Sequence, residues 1–184
     1  MPAFVLVNSN HRAKTFQELT KQQRVTYGSS GVGSGTHISA AITGSTFGNF
    51  IHVPYKGQSQ ALVDVLSGQI DFLMESPIVA DTYIQSGKLR PLAVLSPQRL
   101  KDYPNVPTLR ELGVPDYGYA RWFILVANRD ADPRDIEKIQ RKLNSPEVAL
   151  ELEKLGLHHA KTTPMLLHDI SNNFQKIRQR VKFD

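Results

Sequence analysis

The chain has no cysteine among its 184 residues. Disulfide bonds, thiolate metal sites and a cysteine nucleophile are therefore excluded. It also has no uninterrupted run of about 18 apolar residues, so the sequence predicts no membrane-spanning helix. Residues 1–8 lack a basic segment followed by a long apolar stretch, and hence no secretory signal peptide is predicted there.

Strong charge of one sign is also missing. The chain has 22 Lys and Arg against 17 Asp and Glu, a formal net charge of +5, and neither end carries a basic block. We therefore expect no nucleic-acid partner. A small positive excess is better suited to a small anion. The hydrophobic fraction of 40% and the charged fraction of 21% predict a globular chain with a core.

Short apolar runs alternate along the chain with segments of helical period. The predicted strands are residues 4–7, 25–27, 50–53, 70–74, 89–95 and 120–127. Helices are predicted at 36–46 and 77–85, after the capping box that begins at Thr15, before Gly68, and after the prolines at 133, 146 and 164. A second capping box begins at Thr108 and ends at Gly113. This alternation predicts an α/β fold with a parallel, doubly wound sheet, whose carboxyl edge binds ligands.

The strongest local feature is the turn at residues 28–35, which reads Gly-Ser-Ser-Gly-Val-Gly-Ser-Gly between a strand and a helix. Glycines permit a tight backbone that brings several N–H groups to one point, and the serine hydroxyls add further donors. The start of the following helix adds partial positive charge. The turn therefore suits a carboxylate or phosphate. The alternative is a flexible turn with helix-capping serines.

Three familiar motifs do not match this turn. A P-loop ends in Gly-Lys-Ser/Thr, and no lysine is present. A dinucleotide fingerprint that starts at Gly31 would need glycine at Thr36. A nucleophile elbow that starts at Gly28 would need glycine at Val32. We therefore predict binding without catalysis, with no catalytic residue and no cofactor.

A second turn, at residues 54–57, precedes the next helix. Lys56 supplies a full positive charge, and Tyr55 adds a ring and a hydroxyl. No acidic residue lies between Glu18 and Asp64, so nothing in either turn repels an anion. The alternative for Lys56 is a solvated lysine in a tight turn. The predicted ligand-binding residues are Ser29, Ser30, Gly31, Gly33, Ser34, His37, Tyr55, Lys56 and Gly57.

Other chemical groups are weaker candidates. The histidines near the C-terminus lack the spacing of metal ligands, so no metal site is predicted. Asp71 and Glu75 follow the fourth predicted strand without a nucleophile beside them, which favours exposed strand-end carboxylates. The second hypothesis is an enzyme that acts on a carboxylated or phosphorylated metabolite through His37 and one of these carboxylates. The third is a truncated remnant or interaction protein that folds without binding a ligand.

Six short motifs follow one another along the chain. They are Y-G-S-x-G-x-G-S-x-x-H from Tyr27, V-P-Y-K-G from Val53, L-x-G-x-x-D from Leu66, G-K-L-R-x-L-A-V from Gly87, P-x-V-P-T-x-x-E-x-G from Pro104, and a strand with Trp122. In this order and spacing they resemble the Bug family, the periplasmic solute-binding proteins of tripartite tricarboxylate transporters. The similarity covers nearly the whole chain and weakens after Trp122.

This resemblance implies a periplasmic-binding-protein-like (type II) fold that closes around a small carboxylate, such as a di- or tricarboxylate or an acidic amino acid. It also implies a periplasmic location, membrane transporter subunits as partners and no enzymatic activity. Residues 29–34 and 55–57 would be the share of the site that belongs to lobe two. The implied domains are a hinge strand at 1–8, lobe two at 9–121, and a hinge strand with the C-terminal helices of lobe one at 122–184.

Members of that family are longer at the N-terminus, so we expect lobe two to be complete and lobe one partial. The helices after Pro133 have apolar faces, with Ile136, Ile139 and Leu143 on the first of them. Burying such faces is worth about 25 cal/mol per Å² of apolar surface. We expect them to pack on lobe two or on another chain, as a homo-oligomer or through exchange of the C-terminal helices.

Overall fold

The computed structural model describes residues 2–48, 50–114, 125–154, 157, 168–169, 171–172, 175–177 and 179. The strands of its central sheet are β1 (Ala3–Asn8), β2 (Val25–Ser29), β3 (Phe50–Pro54), β4 (Phe72–Glu75) and β5 (Leu89–Leu95). Their order across the sheet is β3-β2-β4-β1-β5. Both ends of each strand lie within two residues of the ends of a predicted strand.

The helices begin and end at the local signals that predicted them. They are α1 (Phe16–Thr20), α2 (Gly35–Ser45), α3 (Gln58–Ser67), α4 (Pro77–Gln85), α5 (Pro133–Leu143) and α6 (Pro146–Lys154). The Thr15 hydroxyl accepts the Glu18 N–H at the start of α1. Gly68 ends α3 with a φ of 79°, a left-handed conformation that glycine adopts readily. In the described part of the chain, no helix is long and apolar enough to cross a membrane.

β1 runs in the opposite direction to the other four strands. β2 pairs in parallel with β3 and β4, which confirms the predicted parallel sheet there. β1 lies between β4 and β5 and is antiparallel to both, so β2 to β5 all run in one direction. Because pairing direction depends on how distant parts of the chain meet, the short apolar run of β1 does not encode it. The division into hinge strands and lobes stays a prediction.

All the parallel strands end at one edge of the sheet. This carboxyl edge contains Ser29, Pro54, Glu75 and Leu95, the last residues of β2, β3, β4 and β5. Because β1 runs in the opposite direction, its first residues also lie at this edge, where Phe4 pairs with Glu75. α2, α3 and α4 each begin near this edge, shortly after β2, β3 and β4. Three helix N-termini therefore lie close together.

Helices cover both faces of the sheet. Val5, Phe72 and Met74 pack on one face with residues of α1 and α2, including Phe16 and Ala40. The opposite face contains Phe4, Leu6, Leu73 and Val94 and packs against Ala61, Leu62 and Val65 of α3 and Ala80 of α4. Alternate residues of each strand therefore contribute to different halves of the core. This is the predicted doubly wound arrangement, with one strand reversed.

The C-terminal part of the chain contacts α2. Residues 175–177 are helical, and Ile177, which is only 1% exposed, packs against Ile38 and Ile42. In contrast, no described residue of α5 or α6 is buried, and Ile139 is 46% exposed. Among the described residues of the C-terminal part, Ile177 therefore packs on α2. Self-association through the faces of α5 and α6 stays a prediction.

Three other predicted elements have different outcomes. The capping box at Thr108 forms, since Thr108 N–H donates to Glu111 Oε2 and Glu111 N–H donates to the Thr108 hydroxyl. It closes a turn and not a helix, because Gly113 with a φ of 86° follows only two residues later. Most of the strand predicted at 120–127 lies outside the described residues, and 125–127 are not in a strand. The start of the predicted last helix, at 163–167, also lies outside them.

Candidate functional site

The two predicted turns lie side by side at the carboxyl edge. β2 and β3 are paired so that Ser29 is opposite Pro54. The Tyr55 N–H donates to the Ser29 carbonyl over 3.0 Å. A Cβ added to Gly31 would lie 3.5 Å from the Tyr55 carbonyl oxygen. The sheet therefore brings together the predicted residues of both turns.

The amides of the first turn bond to the turn itself. Gly31 N–H donates to the Ser29 hydroxyl, and Ser30 N–H donates to the Thr36 hydroxyl. Gly33 N–H donates to Nδ1 of His37, and Ser34 N–H donates to the Gly31 carbonyl. The expectation that these amides converge on an anion is therefore wrong for Ser30, Gly31, Gly33 and Ser34. Their N–H groups hold the turn in shape, because side chains of the next helix fold back onto it.

Hydroxyl and charged groups remain on the outer side of the two turns. The Ser30 and Ser34 hydroxyls each lie 3.2 Å from the Thr36 hydroxyl, and Ser30 is exposed. A hydroxyl can both donate and accept, so each retains capacity for a further partner. Lys56 is exposed beside them, and its N–H donates to Gln60. These groups can contribute donors and positive charge to a carboxylate.

Two helix starts at this edge lack side-chain caps. In the described part of the chain, no side chain caps α3 at Gly57 or α4 at Ser76. The first N–H groups of a helix have no partner within the helix and carry partial positive charge. By comparison, the start of α2 is capped, since the Ser34 hydroxyl accepts the His37 N–H. The available helix donors are therefore those of α3 and α4, not those of the glycine-rich turn.

Tyr55 is tied to α3 through its hydroxyl, which donates to Asp64 over 2.6 Å. Burial, and then the hydrogen bond and charge of Asp64, raise the pKa of Tyr55 to about 12. The prediction that the Tyr55 hydroxyl serves a ligand is therefore not supported by its geometry. Its structural role is to anchor the second turn to the helix that follows.

His37 and His52 form a stacked pair beneath the first turn. Their ring centres are 3.9 Å apart and their planes differ by 8°. His52 Nε2 lies 2.6 Å from the Ser29 hydroxyl, and the ring of Tyr27 lies beside the pair, 5.0 Å from His52 and 6.3 Å from His37. His37 is only 1% exposed. Its ring is therefore buried and its Nδ1 accepts from the turn, as in a packing or capping residue, and a contact of His37 with an anion stays a prediction.

Both imidazoles are held in the neutral form. Burial lowers the pKa of His37. Burial, and then the charge of His37, lower the pKa of His52 to about 4. Because the pKa of His52 lies below its unfolded value of 6.5, the unfolded chain binds more protons between pH 6.5 and pH 4. Stability contributed by this pair is therefore lost as the pH falls through that window.

Acidification from pH 6.5 to pH 4.5 is expected to lower the free energy of unfolding by roughly 1–2 kcal/mol, after allowing for the partial exposure of His52. Urea titrations at intermediate pH values measure this slope. His52→Phe keeps a stacked ring and should flatten the profile. His168→Phe is the control, because that side chain is 72% exposed. Equal slopes in wild type and His52→Phe would contradict the assignment.

The carboxylates of the enzyme hypothesis lie at opposite ends of β4. Asp71 precedes β4, where it accepts hydrogen bonds from Thr26 and pairs with His11 at 3.1 Å. Burial raises the pKa of Asp71, but these hydrogen bonds and His11 outweigh it and hold the pKa below its ordinary value. Glu75 ends β4 and is 8% exposed, so the expectation of exposed strand-end carboxylates is wrong for it. The two acids cannot act on one substrate atom.

Sequence reasoning missed two polar residues at the carboxyl edge. Gln58, the first residue of α3, donates from its side chain to the Met74 carbonyl over 3.0 Å. Ser76, which is 5% exposed, is the N-cap of α4. Gln58 follows the predicted turn at residues 54–57, and Ser76 lies two residues after the strand predicted at 70–74; these positions near the carboxyl edge were the available signal. Within the described ranges, no group of three or more His, Cys, Asp or Glu side chains could hold a metal ion.

A protein-family model matches most of this chain. The model of the tripartite tricarboxylate transporter family receptor, TctC, matches residues 1–174. A UPF0065 protein of Pseudomonas sp. strain P51 is 26% identical over 181 residues, which are 92% of this chain and 54% of that protein. Protein BugT of Bordetella pertussis is 35% identical over 121 residues, 65% of this chain and 37% of BugT. A UPF0065 protein of Pseudomonas knackmussii is 31% identical over 133 residues, which are 68% of this chain and 78% of that protein.

Solved structures share the fold. A periplasmic transporter that is 29% identical has a TM-score of 0.79 and is matched over 100% of this chain and 66% of its own. Two proteins of Rhodopseudomonas palustris, Rpa4515 solved with adipate and MatC solved with bound malate, have TM-scores of 0.80 and 0.76 at 23% and 21% identity. The alignments cover 97% and 99% of this chain but 64% and 67% of those proteins. These three structural similarities confirm the predicted periplasmic-binding-protein-like fold.

The chain spans about half the length of several curated relatives that it matches, 54% of the Pseudomonas sp. protein and 51% of a Bordetella pertussis protein. The family model nevertheless matches all of the central sheet and both predicted turns, since it extends from residue 1 to residue 174. The chain belongs to the tripartite tricarboxylate transporter receptor family.

Proposed function

We propose that this chain binds a small carboxylate at the carboxyl edge of its sheet, as a receptor component of tripartite tricarboxylate transport. One observation carries this proposal: residues 29–34 and 54–57, which match family motifs, lie side by side where α3 and α4 begin without side-chain caps. Such helix starts favour negative charge. Membrane transporter subunits as partners, and a periplasmic location, belong to the same proposal.

The carboxylate contacts come from the uncapped starts and not from the glycine-rich amides. The first N–H groups of α3, the hydroxyls of Ser30 and Ser34 and the charge of Lys56 are the donors in this proposal. Ser29, Gly31, Gly33 and His37 act indirectly, since their hydrogen bonds hold the first turn in one conformation. A preorganised turn reduces the entropy lost when a ligand binds. The mechanism is capture of the solute without a chemical step.

The known neighbours support an acidic ligand. Rpa4515 was solved with adipate and MatC with malate, and both compounds are dicarboxylates. The absence of an acidic residue between Glu18 and Asp64 agrees with such a ligand, because neither turn itself contains a carboxylate. The proposal therefore covers a mono- or dicarboxylate whose carboxyl group faces the turns.

Titration calorimetry tests the proposal with citrate, succinate, malate and aspartate. We expect heat of binding with at least one acid, and an affinity about 5- to 10-fold weaker in Lys56→Met, because a charge-assisted contact is lost. Lys88→Met is the control, since Lys88 is exposed just before β5, at the opposite edge. No binding of any acid would refute the proposed function. Equal weakening by both variants would refute the role of Lys56.

A further inference from the structure

Glu75 is a buried carboxylate at the carboxyl edge. Its side chain is 8% exposed, and its Oε1 accepts the Ser76 N–H over 2.7 Å. Among the residues that the structure describes, no Lys, Arg or His forms an ion pair with it. An ionised carboxylate has two oxygens and about four acceptor positions, so one N–H leaves most of that capacity unused.

Gln58 carries a second acceptor at the same edge of the sheet. Its Nε2 donates to the Met74 carbonyl over 3.0 Å, and this bond determines which end of the amide faces β4. The Met74 carbonyl oxygen can only accept, so the Gln58 atom bonded to it must be the amide nitrogen. The other terminal atom of the side chain is therefore the amide oxygen. That atom, Oε1, is buried and has no hydrogen-bond partner within the described part of the chain. A buried acceptor without a donor is destabilising.

The two acceptors lie on the same face of the sheet. Side chains alternate along a strand, so Glu75 lies on the face of Leu73 and opposite to Met74. Leu73 packs in the core beneath α3, and Gln58 is the first residue of α3. Gln58 contacts the carbonyl of Met74, directly before Glu75 in the chain. Gln58 and Glu75 therefore lie on the same face and at the same edge of the sheet, next to the uncapped starts of α3 and α4.

We propose that Gln58 and Glu75 select a carboxylic acid that also bears a hydrogen-bond donor, either a hydroxyl or an ammonium group. Two acceptors at one edge of the sheet favour a ligand that supplies a hydrogen-bond donor, and a plain second carboxylate would be repelled by Glu75. The ligand class is therefore a hydroxy or amino acid whose carboxyl group faces the turns at residues 29–34 and 54–57. This inference rests on the proposed function and narrows its substrate.

Three four-carbon diacids test the inference by calorimetry. Succinate has no added donor, malate has a hydroxyl and aspartate has an ammonium group. We expect malate, aspartate or both to bind at least about tenfold more tightly than succinate. A preference for malate identifies the hydroxyl, and a preference for aspartate identifies the ammonium group. If succinate binds as tightly as both others, the inference is wrong while the proposed function stands. If none of the three acids or citrate binds, both fail.

Two variants locate the preference at these residues. Gln58→Met removes the acceptor at similar side-chain length, and Glu75→Gln keeps the shape of the carboxylate without its charge. Each should reduce the ratio of the preferred acid's affinity to that of succinate by about tenfold. Gln17→Met on α1 is the control, because Gln17 is exposed at the opposite edge. An unchanged ratio in both folded variants would overturn the inference and leave the two acceptors a structural role only.

Discussion

Replacing Gly28 with serine is expected to lower the free energy of unfolding by about 3 kcal/mol. Gly28 lies in β2 beneath α3, and an added Cβ would meet Ile70 Cδ1 at 2.6 Å and Ala61 Cβ at 2.8 Å. The end of the Ile70 side chain can rotate away, but the Cβ of Ala61 moves only with the helix. α3 must therefore shift from the sheet, and urea denaturation measures the cost.

The same substitution should also weaken carboxylate binding. The added Cβ would lie 3.2 Å from a ring carbon of Tyr55, which anchors the second turn to α3. Movement of α3 then separates the turn at residues 54–57 from Ser29. Gly57→Ser is the matched control for stability but not for binding, since Gly57 has an extended φ of −169° and nothing lies within 4 Å of its added Cβ. Serine is also a good N-cap, so stability should change by less than about 0.5 kcal/mol. Equal destabilisation by both variants would contradict this account.

Local signals predicted most of the fold because they act over a few residues. α4 begins at Pro77 and ends at Gln85, as predicted, since proline favours the first turn and Gly87 follows with a φ of 69°. The direction of β1 had no such signal. All of Ala3 to Val7 is fully buried, and a strand buried on both faces looks the same in either direction.

The meeting of the two turns was predictable, but their hydrogen bonds were not. Parallel strands end at one edge whatever their side chains, so the two turns could be expected to meet there. Whether the amide of Gly33 is available depends on the ring of His37 folding back onto it. The ring of His37 is in turn held by His52, which is distant in sequence and reaches it only through the pairing of β2 and β3.

The burial of Glu75 was missed for a related reason. A carboxylate at a strand end is usually exposed, and the sequence around it shows no partner. The structure places Phe4 of β1 directly opposite it in the sheet, and Gln58 of α3 contacts the residue before it. Both neighbours are distant in sequence, so only the assembled fold shows that this acid is enclosed.

Replacing Ile177 with alanine is expected to lower the free energy of unfolding by about 2–3 kcal/mol. Ile177 is 1% exposed and packs against Ile38 and Ile42 on the outer face of α2. Those isoleucines are 6% and 4% exposed, so removing the side chain above them opens a cavity or exposes them to water. Ser34 caps the N-terminus of α2. If α2 is held less tightly, amide hydrogen exchange at His37 and Ile38 should increase.

Ile139→Ala is the matched control for this contact. Ile139 lies on α5, is 46% exposed and belongs to a helix with no buried residue among those described. The same loss of side-chain atoms should therefore change stability by less than about 0.5 kcal/mol. If both variants lose the same stability, Ile177 does not pack on α2 in solution. If Ile177→Ala is destabilised while exchange in α2 is unchanged, the contact stabilises the C-terminal segment alone, and the turn is held by its own hydrogen bonds.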